Sequence, residues 1–73
     1  MKSIRTDLLQ DIFQKTGGGD FLTLYELEVE FGLSGINLRS LLEDLKEENL
    51  IVEHPEGFQI SEAGRLYCRS RWL

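Results

Sequence analysis

Histidine, cysteine and arginine are the side chains through which this 73-residue chain could do chemistry, and they are sparse. His54 is the lone histidine, preceded by Glu53 and followed by Glu56 two positions on. An imidazole and two carboxylates could hold a metal ion, yet no second histidine or nearby cysteine joins them, so His54 reads as a solvated turn residue. Cys68 is the lone cysteine, which rules out an internal disulfide and a cysteine metal cage. Arg65, Arg69 and Arg71 surround it in sequence and could lower its pKa; with no histidine close by, it reads as a small packing residue. The stretch Gly17–Asp20, "GGGD", has neither the lysine nor the preceding strand of a phosphate loop and reads as a flexible connection between helices. Nothing here pairs a nucleophile with a base. The expectation is a chain that is not an enzyme by itself and uses no metal and no cofactor.

Charge points elsewhere. Thirteen Asp and Glu against eight Lys and Arg leave a net charge of −5, while three arginines crowd the last nine residues. Arg65 and Arg69 are four apart, so on a helix both guanidinium groups project from nearly one side and could jointly hold carboxylates. The plainer reading is that they complement a helix C-terminus. Arg65, Arg69, Arg71 and Trp72 are the candidate residues for docking to a protein partner.

The elements that must position these side chains can be read from caps and periodicity. Seventy-three residues allow one domain, residues 1–73, and 41% apolar content with clear periodicity supports a folded core. No window reaches membrane-spanning length and the first ten residues carry no signal-peptide apolar run, so a soluble, cytoplasmic chain without a membrane partner is expected. Leu8, Leu9, Ile12 and Phe13 recur at helical spacing behind a Thr6 cap, with Asp7 in the first turn, giving a first helix over about 6–15. Thr23 and Glu26 form a capping-box pattern ahead of Leu24, Leu27 and Phe31, and Gly32 suits the position past a helix end, giving a second over about 24–31. The acids Glu26, Glu28 and Glu30 spread around that helix as a solvated face. Ser34 caps a third helix over about 35–48 with Leu38, Leu41, Leu42 and Leu45 on one stripe, ended by Asn49 in a left-handed conformation with Leu50 folding back. "LIVEH" and "FQIS" around "PEG" predict a β-hairpin over about 51–60. Ser61 caps a fourth helix over about 62–72 with Ala63, Leu66 and Tyr67 inward. The class is α+β, mostly α. A three-helix core containing a helix-turn-helix, a two-stranded wing and a closing helix together make a winged helix.

That architecture commonly reads DNA, with the third helix in the major groove and the wing beside the backbone. Opposite the leucine stripe of the third helix the spacing puts Ile36, Ser40, Glu43 and Glu47. Arg39 and Lys46 flank one edge and Asp44 and Glu48 the other, so with His54 in the wing the alternative DNA contacts are Arg39, Lys46 and His54. Two acids on the exposed face, and Glu53 and Glu56 in the wing, oppose phosphate binding.

"GFQISEAGRLYCRS" resembles the closing segment of the oxygen-independent coproporphyrinogen III oxidases, radical S-adenosylmethionine enzymes of haem biosynthesis. The match runs without gaps from Glu48 to about Ser70, is carried by Gly64, Arg65, Leu66 and Arg69, and extends more loosely to "YELEVEFGL". The resemblance implies an accessory domain that packs against a catalytic barrel and helps cover its substrate site. The barrel and its three-cysteine cluster motif are absent, and "RSRWL" stands where the family continues to a Phe-Asp pair. The expected function is a non-catalytic winged helix module for docking to protein, with a catalytic subunit or domain as partner. The alternatives are a small DNA-binding regulator, and a homodimerisation unit anchored by Ile36, Tyr25 or Trp72.

Overall fold

The computed structural model describes residues 3–72 of the chain; the side chain of Trp72 lies outside what is described. Four helices and one hairpin follow in the order α1 (Ile4–Thr16), α2 (Leu24–Phe31), α3 (Gly35–Glu47), β1 (Ile51–His54), β2 (Gly57–Ile60) and α4 (Glu62–Trp72). The class is α+β and mostly α.

Each helix begins at a hydroxyl. Thr6 does not cap α1: Ser3 does, its Oγ accepting from the Thr6 N–H at 3.1 Å. Both residue types can cap, and the earlier start gives α1 another turn, on which Arg5 pairs with Glu48 just past α3. The capping box of α2 is complete, with Thr23 Oγ1 accepting from Glu26 N–H at 3.1 Å and Glu26 Oε1 accepting from Thr23 N–H at 2.9 Å. Gly32 ends α2 with φ 66°, a conformation that a Cβ disfavours. Ser34 caps α3, and Asn49 at φ 61° turns the chain out of it, so that Leu50 N–H returns to the Leu45 carbonyl at 3.0 Å.

β1 and β2 pair antiparallel from Ile51↔Ile60 to His54↔Gly57. Leu22, in the connection before α2, adds a bridge on the far side of β2: it donates to the Phe58 carbonyl at 2.9 Å and accepts from the Phe58 N–H at 2.7 Å. A Cβ on Gly57 (φ 143°) would sit 2.6 Å from the Leu22 carbonyl oxygen, so a glycine is required where the two chains cross. A single bridging residue has no periodicity, which is why the sequence pattern does not reveal it.

The glycine-rich connection is not a free linker. Arg65 donates to the Gly17 carbonyl at 2.5 Å and the Gln59 amide to the Gly19 carbonyl at 3.0 Å. Thr16, fully buried, donates to the Ile12 carbonyl at 2.7 Å and accepts from the Ile60 N–H at 2.8 Å, tying the end of α1 to β2. Such bonds hold the backbone that glycine alone would leave loose.

The face that α4 turns inward differs from the expected one. Ala63 and Leu66 are exposed and Tyr67 is half-buried, whereas Gly64 and Cys68 face the core. Close backbone approach decides this. A Cβ on Gly64 would collide with the Leu50 carbonyl oxygen and lie 2.9 Å from Ile60 Cδ1, so the helix seats itself on the hairpin by its glycine side. Ser61 anchors the seat, accepting from Gly64 N–H at 2.8 Å and donating to the Asn49 carbonyl at 2.5 Å. The core between these elements joins Leu8, Leu9 and Ile12 of α1, Leu27 of α2, the α3 leucines 38, 42 and 45, and Ile51, Phe58 and Ile60 of the hairpin. Leu41 packs only on its rim.

Candidate functional site

The outward face of α3 and the hairpin beside it are the surface on which the functional alternatives divide. Helical spacing with Leu38, Leu42 and Leu45 buried leaves Ile36, Ser40, Glu43 and Glu47 exposed, Ile36 by 85%. Arg39 and Lys46 lie along the edge nearest β1, and there they do not face solvent alone. Arg39 Nη1 donates to both oxygens of Glu53 at 2.9 and 3.0 Å. Lys46 Nζ donates to Glu53 at 2.9 Å and to Glu43 at 3.1 Å, and Arg39 lies 3.5 Å from Glu43. Hydrogen bonds from Lys46 and then Arg39 hold the Glu53 carboxyl below its ordinary value, and Glu53 in turn raises Lys46. Two cations and two acids therefore close on each other. The Arg39 guanidinium also stands 5.4 Å from the Phe58 ring centroid, seated on the hairpin.

His54 is half-buried rather than solvated, edge-on to Phe21 with centroids 5.2 Å apart. The reason is again the connection before α2, which brings Phe21 alongside the hairpin. Glu56 is exposed at the turn.

The candidate docking arginines, all on α4, have different surroundings. Arg65 is half-buried and spent on the Gly17 carbonyl, Arg71 lies over the Tyr67 ring at 4.6 Å, and Arg69 is exposed. Arg65 thus holds the Gly17 carbonyl, while Arg69, four positions on along α4, is exposed. Trp72, as a side chain, lies outside the described residues. Three other large apolar side chains are prominent: Tyr25 and Val29, four apart on α2, and Leu66 on α4. Val29 could have been found by placing α2 on a helical wheel opposite Leu24, Leu27 and Phe31.

Cys68 is fully buried, and burial pushes its thiol up to about 11, against the lowering that its arginine neighbours suggest. Those arginines lie on other sides of the helix or bind elsewhere, so desolvation governs and the group stays a thiol at neutral pH.

A second charged cluster is not visible in the sequence pattern. Lys15 Nζ, on α1, lies 3.3 Å from Asp11 Oδ1 and 2.5 Å from Glu30 Oε1 on α2. Glu30 is therefore part of a helix–helix contact, not of a merely solvated face. The Asp11–Lys15 spacing of four is a signal the sequence does hold; the third partner comes from another helix.

Among the described residues, no group of three or more His, Cys, Asp or Glu is arranged to hold a metal ion, and no helix is long and apolar enough to cross a membrane. The chain matches no protein-family model, no curated protein and no solved structure.

Proposed function

We propose that this chain is a winged helix module that docks to protein, without catalysis and without reading DNA. The observation that carries the reading is the engagement of Arg39 and Lys46 by Glu53. In a winged helix, α3 and the hairpin would meet the duplex, and duplex binding rests on cations free to neutralise phosphate. Here the two cations on that face are neutralised from within, His54 is turned to Phe21, and Glu47 adds a negative charge. The same face offers Ile36, almost wholly exposed, as an apolar anchor for a protein surface.

The proposed partner is a catalytic subunit or domain, in keeping with the likeness to the accessory domain of the coproporphyrinogen oxidases. Of the four residues that carry that likeness, Gly64 and Arg65 have jobs inside the fold, seating α4 on Leu50 and pinning Gly17. Leu66 and Arg69 are exposed and remain for a partner.

Titration of the purified chain with labelled random duplex at low salt tests the reading. Binding weaker than micromolar is expected. Submicromolar binding that falls steeply with added salt would replace it with the DNA-binding regulator.

A further inference from the structure

Asp11 stands in the contact between α1 and α2 with its side chain only 14% exposed, and its Oδ2 is buried without a hydrogen-bond partner. A buried ionised carboxylate with one bare oxygen is unfavourable; a protonated one becomes a donor and needs no counter-charge. An acceptor stands across the helix pair, because the Glu30 carboxylate meets the same Lys15 ammonium that Asp11 does. We propose that Asp11, Lys15 and Glu30 form a proton-operated clasp between α1 and α2, closed by a proton that Asp11 holds toward Glu30 and loosened when that proton leaves.

The charges around the clasp are unbalanced. From α1 come Asp7 and Lys15, with neutral Gln10 and Gln14; from α2 come Glu30 and, a turn earlier, Glu26, with neutral Phe31. β2, also packed on α1, has no ionisable side chain, and α4 sends Arg65 to the Gly17 carbonyl rather than to the cluster. One ammonium therefore meets two carboxyl groups directly, Asp11 and Glu30, and Asp7 and Glu26 add two more acids nearby. With Asp11 protonated these three side chains sum to zero charge; with Asp11 ionised they carry a surplus negative charge beside its buried oxygen. Burial first, and the Glu30 hydrogen bond second, push the Asp11 carboxyl up to about 6, so the change falls between mildly acidic and neutral pH. Lys15 and Glu30 also border the shallow depression lined by Tyr25 and Val29, so the clasp lies beside the exposed apolar pair of α2.

Carboxyl carbon NMR of the full chain between pH 3 and 8 tests this without any variant. Asp11 should titrate with a midpoint near 6, and in Glu30→Gln, which removes the partner carboxylate, the midpoint should fall. Amide exchange of α2, corrected for the intrinsic pH dependence, should lose protection between pH 5 and 7.5 by roughly tenfold. That loss should vanish in Asp11→Asn. An Asp11 midpoint in the ordinary carboxylate range, or an equal loss of α2 protection in Asp11→Asn, would overturn the proposal.

Discussion

Two charged clusters join elements of this molecule, and they are opposite in kind. Between α3 and the hairpin, two cations meet two acids, with all four side chains between 31 and 49% exposed. Between α1 and α2, one cation meets two acids, and one of those acids is mostly buried with an orphan oxygen. In the first cluster each partner stabilises the charged form of the other, so the carboxyl of Glu53 is held down and the ammonium of Lys46 held up, and neither changes state near neutrality. In the second, burial first and the Glu30 hydrogen bond second raise the Asp11 carboxyl to about 6. Burial and the count of charges, more than the presence of ion pairs, decide whether a cluster responds to pH.

Neither cluster is the main joint of the fold, and a third contact sets the scale. α4 meets the hairpin through Gly64, with no space for a methyl group between its Cα and the Leu50 carbonyl. Gly64→Ala should force α4 off its seat and cost about 2–3 kcal/mol, read by urea melts, even though alanine is the better helix former. A gain in stability would mean that helix propensity wins and that the seat is loose.

The next effect in size is the pH dependence of stability. Folded Asp11 keeps its proton to about 6 against an ordinary 3.8, so between those values the folded state carries the extra proton and stability falls as pH rises. Glu30 acts in the other direction: held below its ordinary 4.5 by Asp11 and then Lys15, it adds stability that is present above that value and lost as pH falls through its folded value. A maximum near pH 4 is expected, with a decline on the order of 1–2 kcal/mol toward pH 7, which is less than the full Asp11 shift because the two groups are linked. Asp11→Asn should flatten the decline. A wild-type profile that instead climbs steadily from pH 4 to 7 would place Asp11 with the ordinary surface acids.

How far the sequence could be read follows the same division between local and distant causes. Caps at Thr23, Ser34 and Ser61, the left-handed Asn49 and the hairpin around Pro55 are written in adjacent residues, and all were legible. The inward face of α4 was not, because apolar periodicity favours Ala63, Leu66 and Tyr67 whereas the Leu50 carbonyl, fourteen positions earlier, admits only Gly64. The outward set Ile36, Ser40, Glu43 and Glu47 followed from the period of α3 alone. That Arg39 and Lys46 would both be taken by Glu53 did not, since it depends on how the hairpin lies against α3, which no local signal records.

The smallest stability effect separates the two clusters most cleanly. Glu53→Gln removes the hub of the α3–hairpin cluster, but with its members substantially solvated the melting free energy should fall by less than about 1 kcal/mol. Its consequence should lie in binding. Arg39 and Lys46 would then share only Glu43, leaving one net positive charge on the face that a winged helix presents to a duplex, so affinity for random DNA should rise at low salt and its salt dependence steepen by roughly one phosphate contact. Loss of one negative charge alone would also raise affinity, and Glu47→Gln measures that share. Glu47 is exposed on the outward face of α3 and, among the described residues, no ion pair is found for it. The Glu53 variant should gain distinctly more than the Glu47 variant. Equal gains would mean that Arg39 and Lys46 are already available to phosphate and that the ion pairs exert no restraint; any weakness of DNA binding would then come from net charge alone, and the main support for a protein-docking role on this face would be gone.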